Sequence, residues 1–213
     1  MLAIVRNVRG DIIEDAPVRF LYADFNRDSA LIVDSVTGFV RAAKTAKGDA
    51  RIAVRVGNTL QVLRSIIVTT RPDTIGAALE VAPLLTTVLP DTARANSTPN
   101  RSSPLTVMVR HFEGATPSGV NAWPVQFEVI DPANPTNDTT AAAYMVDENG
   151  RASTLDTADA SGSAARRVRV RAALFPAAGT AQDTIVVQAV ARYRGTLVRG
   201  APVRMLVPVR RGS

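Results

Sequence analysis

Apolar and polar side chains alternate over short stretches in both halves of the chain. In the first half Ile52, Val54 and Val56 fall on every second position, with arginine at positions 51 and 55. In the second half, residues 167–171 read Arg-Val-Arg-Val-Arg. A period of two places one kind of side chain on each face of a β-strand, whereas a helix requires a period of 3.6. The pattern therefore predicts an all-β chain.

The length of the chain fits two small β-domains better than one. A single immunoglobulin-like sandwich takes about 100 residues, and this chain has 213. A proline-containing, partly polar stretch separates the two regions of alternation. We therefore predict domains at 1–72 and 105–213, joined by a linker at 73–104. Within the linker we expect a short helical turn at 75–81 and an edge strand at 84–89.

The second half repeats the motifs of the first half in the same order, which indicates tandem copies of one unit. The matched motifs are Pro-Val-x-Phe at 17–20 and 124–127, Val-Asp before a glycine at 33–38 and 146–150, and a glycine-led strand at 48–52 and 162–171. The predicted core consists of Val18, Phe20, Ile52, Val54 and Ile67 in the first domain and Val125, Phe127, Val168, Val170, Val187 and Val207 in the second.

These motifs resemble bacterial Ig-like domains that occur in tandem in surface and envelope proteins. Residues 34–42 and 48–54 are similar to the group-2 pattern. Residues 109–114, 124–127, 147–152 and 185–189 are similar to the group-1 pattern of invasin and intimin type. The resemblance implies two tandem immunoglobulin-like β-sandwiches. It also implies that residues 2–9 form the second strand of the first sandwich, which leaves a sheet edge open for docking.

Few residues of the chain suit catalysis or metal binding. Cysteine is absent, and His111 is the only histidine, so a disulfide, a thiolate site and a multi-histidine site are all excluded. Asp24, Asn26 and Asp28 are spaced like the start of a calcium loop but lack its glycine and closing glutamate. An ordinary inter-strand loop is favoured there, and also at 156–159. We predict neither enzymatic activity nor a cofactor.

Candidate binding residues come from the arginines and from the only tryptophan. The net charge of +6 arises almost entirely from arginine, and we predict a contact surface on the second domain made by Arg167, Arg169, Arg171, Arg192, Arg194 and Trp123. Solvation of a sheet face is the alternative role for the arginines, and packing is the alternative for Trp123. Nucleic acid is not favoured as a partner, because neither interleaved exposed aromatics nor a groove-reading helix is evident.

Together these features indicate a structural or binding module of the cell envelope. We expect a peripheral scaffolding or stabilising subunit, periplasmic or at the surface, that binds protein subunits of a membrane complex or anionic lipid headgroups. An adhesin-like or carbohydrate-binding module is the alternative. The N-terminal segment lacks the pattern of a signal peptide, so the export route stays open.

Overall fold

The computed structural model describes residues 1–23, 31–43, 48–58, 60–88, 100–174 and 183–211, and the side chains of 48, 49 and 211 are outside the description. The described chain is built from β-strands, turns and one short 3₁₀ helix, Ala172–Leu174. It divides into two compact units, residues 1–70 and 71–213. The predicted all-β fold is confirmed.

The first unit contains a three-stranded antiparallel sheet and a separate two-stranded hairpin. Its strands are β1 (Val18–Tyr22), β2 (Leu31–Val33), β3 (Val40–Ala42), β4 (Gly48–Val56) and β5 (Leu60–Val68). The sheet has the order β1-β4-β5, and β2 pairs with β3. Leu31 of the hairpin packs on Ala50 and Ile52 of the sheet, with Val33 and Val40 partly buried beside them. The hairpin is thus the second layer of a small sandwich.

A tight turn connects the two strands of this hairpin. The Asp34 carboxylate accepts hydrogen bonds from the backbone amides of Val36 and Thr37, at 2.9 and 2.8 Å. Gly38 follows with a φ of 69°, a value that costs glycine little. These bonds hold the pKa of Asp34 below its ordinary value, with the Thr37 amide as the main cause. The Val-Asp…Gly motif therefore does what the sequence indicates and reverses the chain.

Residues 2–9 do not form the strand that the family resemblance implied. This segment makes one isolated bridge, between Arg6 and Ile12. The Asn7 side chain accepts hydrogen bonds from the amides of Arg9 and Asp11, which bends the chain back on itself. Such an Asx turn competes with an extended strand. The proposed open edge at 2–9 was therefore wrong.

One residue that was predicted in the core of the first unit lies on the outer face of its sheet. Phe20 and Ile52 are buried, as predicted, and Val18 and Val54 are half-buried. Ile67, however, is 49% exposed, because it lies opposite Asp49 on the face of the sheet away from Ile52. Its neighbour Ile66 lies opposite Ala50 and packs against the core. A one-residue error in strand register exchanges the two faces.

The second unit is a sandwich of two larger sheets. Its strands are β6 (Thr74–Ala77), β7 (Leu85–Thr87), β8 (Leu105–Glu113), β9 (Thr116–Gly119), β10 (Pro124–Asp131), β11 (Ala133–Asn134), β12 (Ala143–Val146), β13 (Leu155–Thr157), β14 (Ser163–Val170), β15 (Asp183–Val190), β16 (Arg192–Tyr193), β17 (Thr196–Leu197) and β18 (Val203–Arg211). One sheet has the order β11-β10-β15-β18-β7, with β13 also beside β10. The other has the order β12-β14-β8-β6, with β9 beside β8. This arrangement is immunoglobulin-like.

Much of the stretch predicted as a linker belongs to this second sandwich. β6 pairs with β8, and β7 runs parallel to β18. The helical turn expected at 75–81 was wrong, because Ile75 is a buried strand residue opposite Val109. The edge strand expected near 84–89 corresponds to β7. Prolines at 83 and 104 lie between strands, where proline costs no ladder hydrogen bond.

The core of the second unit lies between its two sheets. The six core residues predicted for it are all fully buried, namely Val125, Phe127, Val168, Val170, Val187 and Val207. They belong to strands of both sheets, so the inward faces of the two sheets meet in one apolar layer.

Candidate binding surface on the second unit

A short hairpin, β16–β17, projects between the long strands β15 and β18. Its turn is Arg194-Gly195, and both residues have positive φ, 51° and 83°. Two central residues of this kind form the tight turn that matches the twist of a β-hairpin. The Arg192 guanidinium donates a hydrogen bond through Nη1 to the Gly195 carbonyl at 3.0 Å. The turn is therefore fixed by its own residues.

Tyr193 of this hairpin contacts Trp123, which precedes β10. The ring centroids are 6.0 Å apart and the planes are tilted by 40°. Both rings are half-buried and pack against the core. The Ala158 amide donates to the Trp123 carbonyl at 2.8 Å, which fixes the backbone under the indole. The buried indole Nε1 has no hydrogen-bond partner among the described residues.

Two guanidinium groups lie beside the Tyr193 ring. The Cζ atoms of Arg194 and Arg71 are 5.4 and 6.0 Å from its centroid. At these distances a cation is attracted to the negative face of the ring. We call Trp123, Tyr193, Arg194 and Arg71 the aromatic–arginine cluster. It combines planar apolar surface with charged donors.

Asp73 holds one of these arginines and also contacts β8. Its Oδ1 is 3.0 Å from Arg71 Nη2, its Oδ2 accepts the Phe112 amide at 2.9 Å, and His111 Nδ1 lies 2.7 Å from Oδ2. The Phe112 amide, followed by Arg71, lowers the pKa of Asp73. The only histidine of the chain therefore lies beside a structural carboxylate.

The other three arginines predicted as binding residues lie on β14 or directly after it, and Arg167 and Arg171 are near backbone carbonyls of the same unit. Arg167 donates through Nη1 to the Ser102 carbonyl at 2.8 Å, and burial, followed by the charge of Arg101, lowers the pKa of Arg167. Arg169 is only 3% exposed. Arg171 lies 3.3 Å from the Thr140 carbonyl. The prediction that Arg169 belongs to an exposed contact surface was therefore wrong, because the tertiary fold covers this side chain. The contact role of the half-buried Arg167 and Arg171 stays a prediction.

The structure thus brings together only part of the predicted binding set. Trp123 and Arg194 both contact Tyr193 of the β16–β17 hairpin, which also contains Arg192. Arg167 and Arg169 lie on β14, and Arg171 follows its last residue. Sequence reasoning missed Tyr193 and Arg71. The run Arg-Tyr-Arg-Gly at 192–195 is the signal for Tyr193, since its glycine can take the positive φ of a tight turn. Arg71 carries no such signal, because its contact depends on the tertiary fold.

The acidic loops of the second unit form a groove of about 630 Å³. Asp156 pairs with Arg166 at 2.9 Å, and Asp159 accepts hydrogen bonds from Ser161 Oγ and the Ser163 amide. These bonds hold the pKa of Asp159 low, with Ser161 Oγ as the main cause.

Within the described ranges, no group of three or more histidine or acidic residues is arranged to hold a metal. Asp24, Asn26 and Asp28 lie outside the described residues.

No helix in the described part of the chain is long and apolar enough to cross a membrane.

No protein-family model matches this chain, and no curated protein matches it. Several solved structures match it. Surface layer protein SbsC, domains 1–6, matches over 97% of this chain and 22% of its own, with 13% identity and a TM-score of 0.30. The adhesin InvE of Yersinia pseudotuberculosis matches over 98% and 52%, with 14% identity and a TM-score of 0.37. A β-glucuronidase of Parabacteroides merdae matches over 91% and 20%, with 9% identity and a TM-score of 0.32.

The chain therefore spans about half, or less, of the length of each of these structures. The immunoglobulin-like arrangement rests on the strand order of the two sheets of the second unit. The assignment to group 1 or group 2 stays a prediction.

Proposed function

We propose that this chain is a non-catalytic binding module of the cell envelope, and that its second unit holds a protein partner through the aromatic–arginine cluster. The observation that carries the proposal is the position of Arg194 and Arg71 at 5.4 and 6.0 Å from the Tyr193 ring. Tyrosine, tryptophan and arginine are the residue types that most often dominate binding energy at protein interfaces. Arg194 is exposed at the hairpin tip, so it is accessible to a partner.

The rigidity of the cluster supports binding. Arg192 closes the turn, and the Trp123 backbone is fixed by Ala158. Binding by a preformed surface loses less conformational entropy than binding by a flexible loop. The positive charge also favours an acidic surface, whether on a protein subunit or at anionic headgroups. A peripheral scaffolding or stabilising role in a membrane-associated assembly, periplasmic or at the surface, follows from this reasoning.

A pull-down from detergent-solubilised envelopes with the full chain tests this proposal. Arg194→Glu is expected to abolish capture of the specific partner, because it reverses the charge at the centre of the cluster. Arg204→Glu is the matched control, since Arg204 is also exposed but lies on the long strand β18. Capture that is lost in the first variant and kept in the second supports the proposal. Equal capture by both variants contradicts it.

A carbohydrate-binding role is the second candidate, and the half-buried Tyr193 ring flanked by cationic donors favours it. A sugar ring can stack on such an aromatic face while arginine donates to its hydroxyls. A glycan array separates the two candidates. Glycan binding that disappears in Tyr193→Ala supports this role, and a blank array removes it.

A further inference from the structure

The first unit contains a long sheet edge with one side unpaired. β5 pairs with β4 along its whole length, from Leu60 opposite Val56 to Val68 opposite Gly48. No other described strand pairs with β5. In an edge strand, every second residue directs its amide and carbonyl away from its neighbour. We call these outward groups of residues 60–68 the β5 edge.

The side chains along the β5 edge leave it open to pairing. Sheet edges in native proteins are blunted by prolines, bulges, frequent charges or short length. β5 has nine residues, contains no proline, pairs without a bulge and carries one charge, Arg64. Leu60, Val62, Leu63 and Ile67 are between 40% and 55% exposed. A strand of this kind is a template for an added strand.

The charge of the three-stranded sheet β1-β4-β5 determines which kind of added strand its edge favours. Its three strands contain four arginines, Arg19, Arg51, Arg55 and Arg64, and one carboxyl residue, Asp49. Arg19 lies directly opposite Arg55, an arrangement in which like charges repel. Arg55 is in turn opposite Gln61 of β5. An added strand with carboxylates beside Gln61 and Arg64 places negative charge on both faces where positive charge is in excess.

We propose that the β5 edge accepts an extended acidic segment of a partner protein as a fourth, antiparallel strand of this sheet. Main-chain hydrogen bonds to the β5 edge supply sequence-independent affinity, as in other cases of strand addition. Carboxylates near Arg64 and Arg55 supply selectivity. A second copy of this chain is a poorer occupant, because pairing β5 with itself brings two arginine-rich sheets together.

The register defines a probe peptide, Val-Thr-Val-Thr-Glu-Val-Val-Glu-Val, labelled with fluorescein through a Gly-Ser linker. In antiparallel pairing with residues 60–68, its fifth residue faces Arg64 and its eighth faces Gln61. A control peptide has lysine in place of both glutamates. Fluorescence anisotropy with the full chain is expected to show at least fivefold tighter binding of the acidic peptide.

Charge reversal on the protein completes the test. Arg64→Glu is expected to weaken the acidic peptide by about fivefold and to strengthen the lysine peptide. Arg41→Glu is the matched control, because Arg41 is exposed on β3, outside the three-stranded sheet, and it should change neither affinity. Hydrogen exchange should be fast at alternate β5 amides in the chain alone and slow with the acidic peptide bound.

Several results overturn the proposal. Absence of binding and equal affinity for the two peptides each show that the edge does not select an acidic strand. Slow exchange throughout β5 in the chain alone at micromolar concentration shows that the chain covers its own edge. Sedimentation that detects a dimer with protected β5 amides assigns the edge to a second copy.

Discussion

The two units of this chain build the same kind of sheet but enclose it differently. In the first unit β4 lies between β1 and β5, and in the second β15 lies between β10 and β18. β1 and β10 both follow or begin with the proline of a Pro-Val-x-Phe motif. In the second unit, the five-stranded sheet of β12, β14, β8, β6 and β9 covers this layer. Among the described residues of the first unit, the hairpin β2–β3 forms the covering layer.

The difference shows what a covering layer contributes. Phe127 and the valines around it are fully buried, whereas Leu60 and Val62 at the far end of the first sheet stay 55% and 40% exposed. The alternation of apolar and polar residues is similar in the two sheets. A pattern in one strand therefore specifies which face is apolar, but burial depends on strands elsewhere in the chain.

Replacing the equivalent phenylalanines should show the largest contrast between the units. Phe127→Ala is expected to lower the free energy of unfolding by about 3–5 kcal/mol, because the cavity lies inside a closed core. Phe20→Ala should cost less, since the smaller unit can close around the cavity more easily. Urea denaturation, monitored separately for each unit by hydrogen exchange, measures both losses. Equal losses would mean that the first unit is as tightly packed as the second.

Replacing one arginine in each unit sharpens the contrast. Arg169→Ala in the second unit is expected to lower the free energy of unfolding by about 3 kcal/mol. It removes a buried charge and leaves the polar groups around it without a partner. Arg64→Ala, on the exposed edge of the first sheet, should change the stability by less than about 0.5 kcal/mol. Thermal unfolding of both variants tests this. A neutral Arg169→Ala would contradict the buried position of this side chain.

Two positive-φ glycines provide a finer comparison. A Cβ at Gly162 would meet the backbone carbonyl of Val109, whereas a Cβ at Gly38 would meet the Phe20 ring at 2.8 Å. A ring can rotate, and a strand carbonyl cannot. We therefore expect Gly162→Ala to cost about 2–3 kcal/mol and Gly38→Ala about 1–2 kcal/mol. Gly57→Ala controls for backbone strain alone, because its φ is 58° and its Cβ would meet no atom within 4 Å.

The smallest expected contrast concerns acid pH. The pKa values of Asp73, Asp138 and Asp159 in the second unit, and of Asp34 in the first, lie below the ordinary 3.8. The unfolded chain therefore takes up protons at higher pH than the folded chain does. Their stabilisation is present above pH 3.8 and is lost as the pH falls through the lowered folded pKa values.

Among the described residues, the second unit contains three such carboxyls and the first unit contains one. We therefore expect the second unit to lose stability more steeply in acid. Denaturation between about pH 6 and pH 3 measures the two slopes. Asp159→Ala is expected to flatten the dependence of the second unit, and Asp34→Ala that of the first. A slope of the second unit that Asp159→Ala leaves unchanged would contradict the role of its bonds to Ser161 and Ser163.

Sequence reasoning predicted the local features of the fold better than the long-range ones. The turn at Asp34 to Gly38 and the buried valines of β14 and β15 follow from residue types and period two. The strand β6 did not, and neither did the partner of the expected edge strand β7, because pairing with β8 and β18 depends on residues far along the chain. Arg169 shows the same limit, since alternation placed it on a solvated face and the tertiary fold buries it.

The candidate binding surface was predicted in part for the same reason. Trp123 stands out because it is the only tryptophan of the chain, and Arg194 stands out because it precedes a glycine. The contact between Tyr193 and Trp123 joins residues 70 positions apart, and no local pattern indicates it. Arg71 was assigned to the end of the first domain, and only its contact with Asp73 and Tyr193 places it in the second unit.

The parallel pairing of β7 with β18 has a mechanical consequence. Leu85 lies opposite Val209 and Thr87 opposite Arg211, so two strands from opposite ends of the second unit run side by side in the same direction. A force that pulls residues 85 and 211 apart acts along this ladder and loads its hydrogen bonds together, in shear. An antiparallel pair pulled from its two open ends would lose its bonds one after another. The second unit is thus built to resist tension, while the β5 edge of the first lies outside this load path.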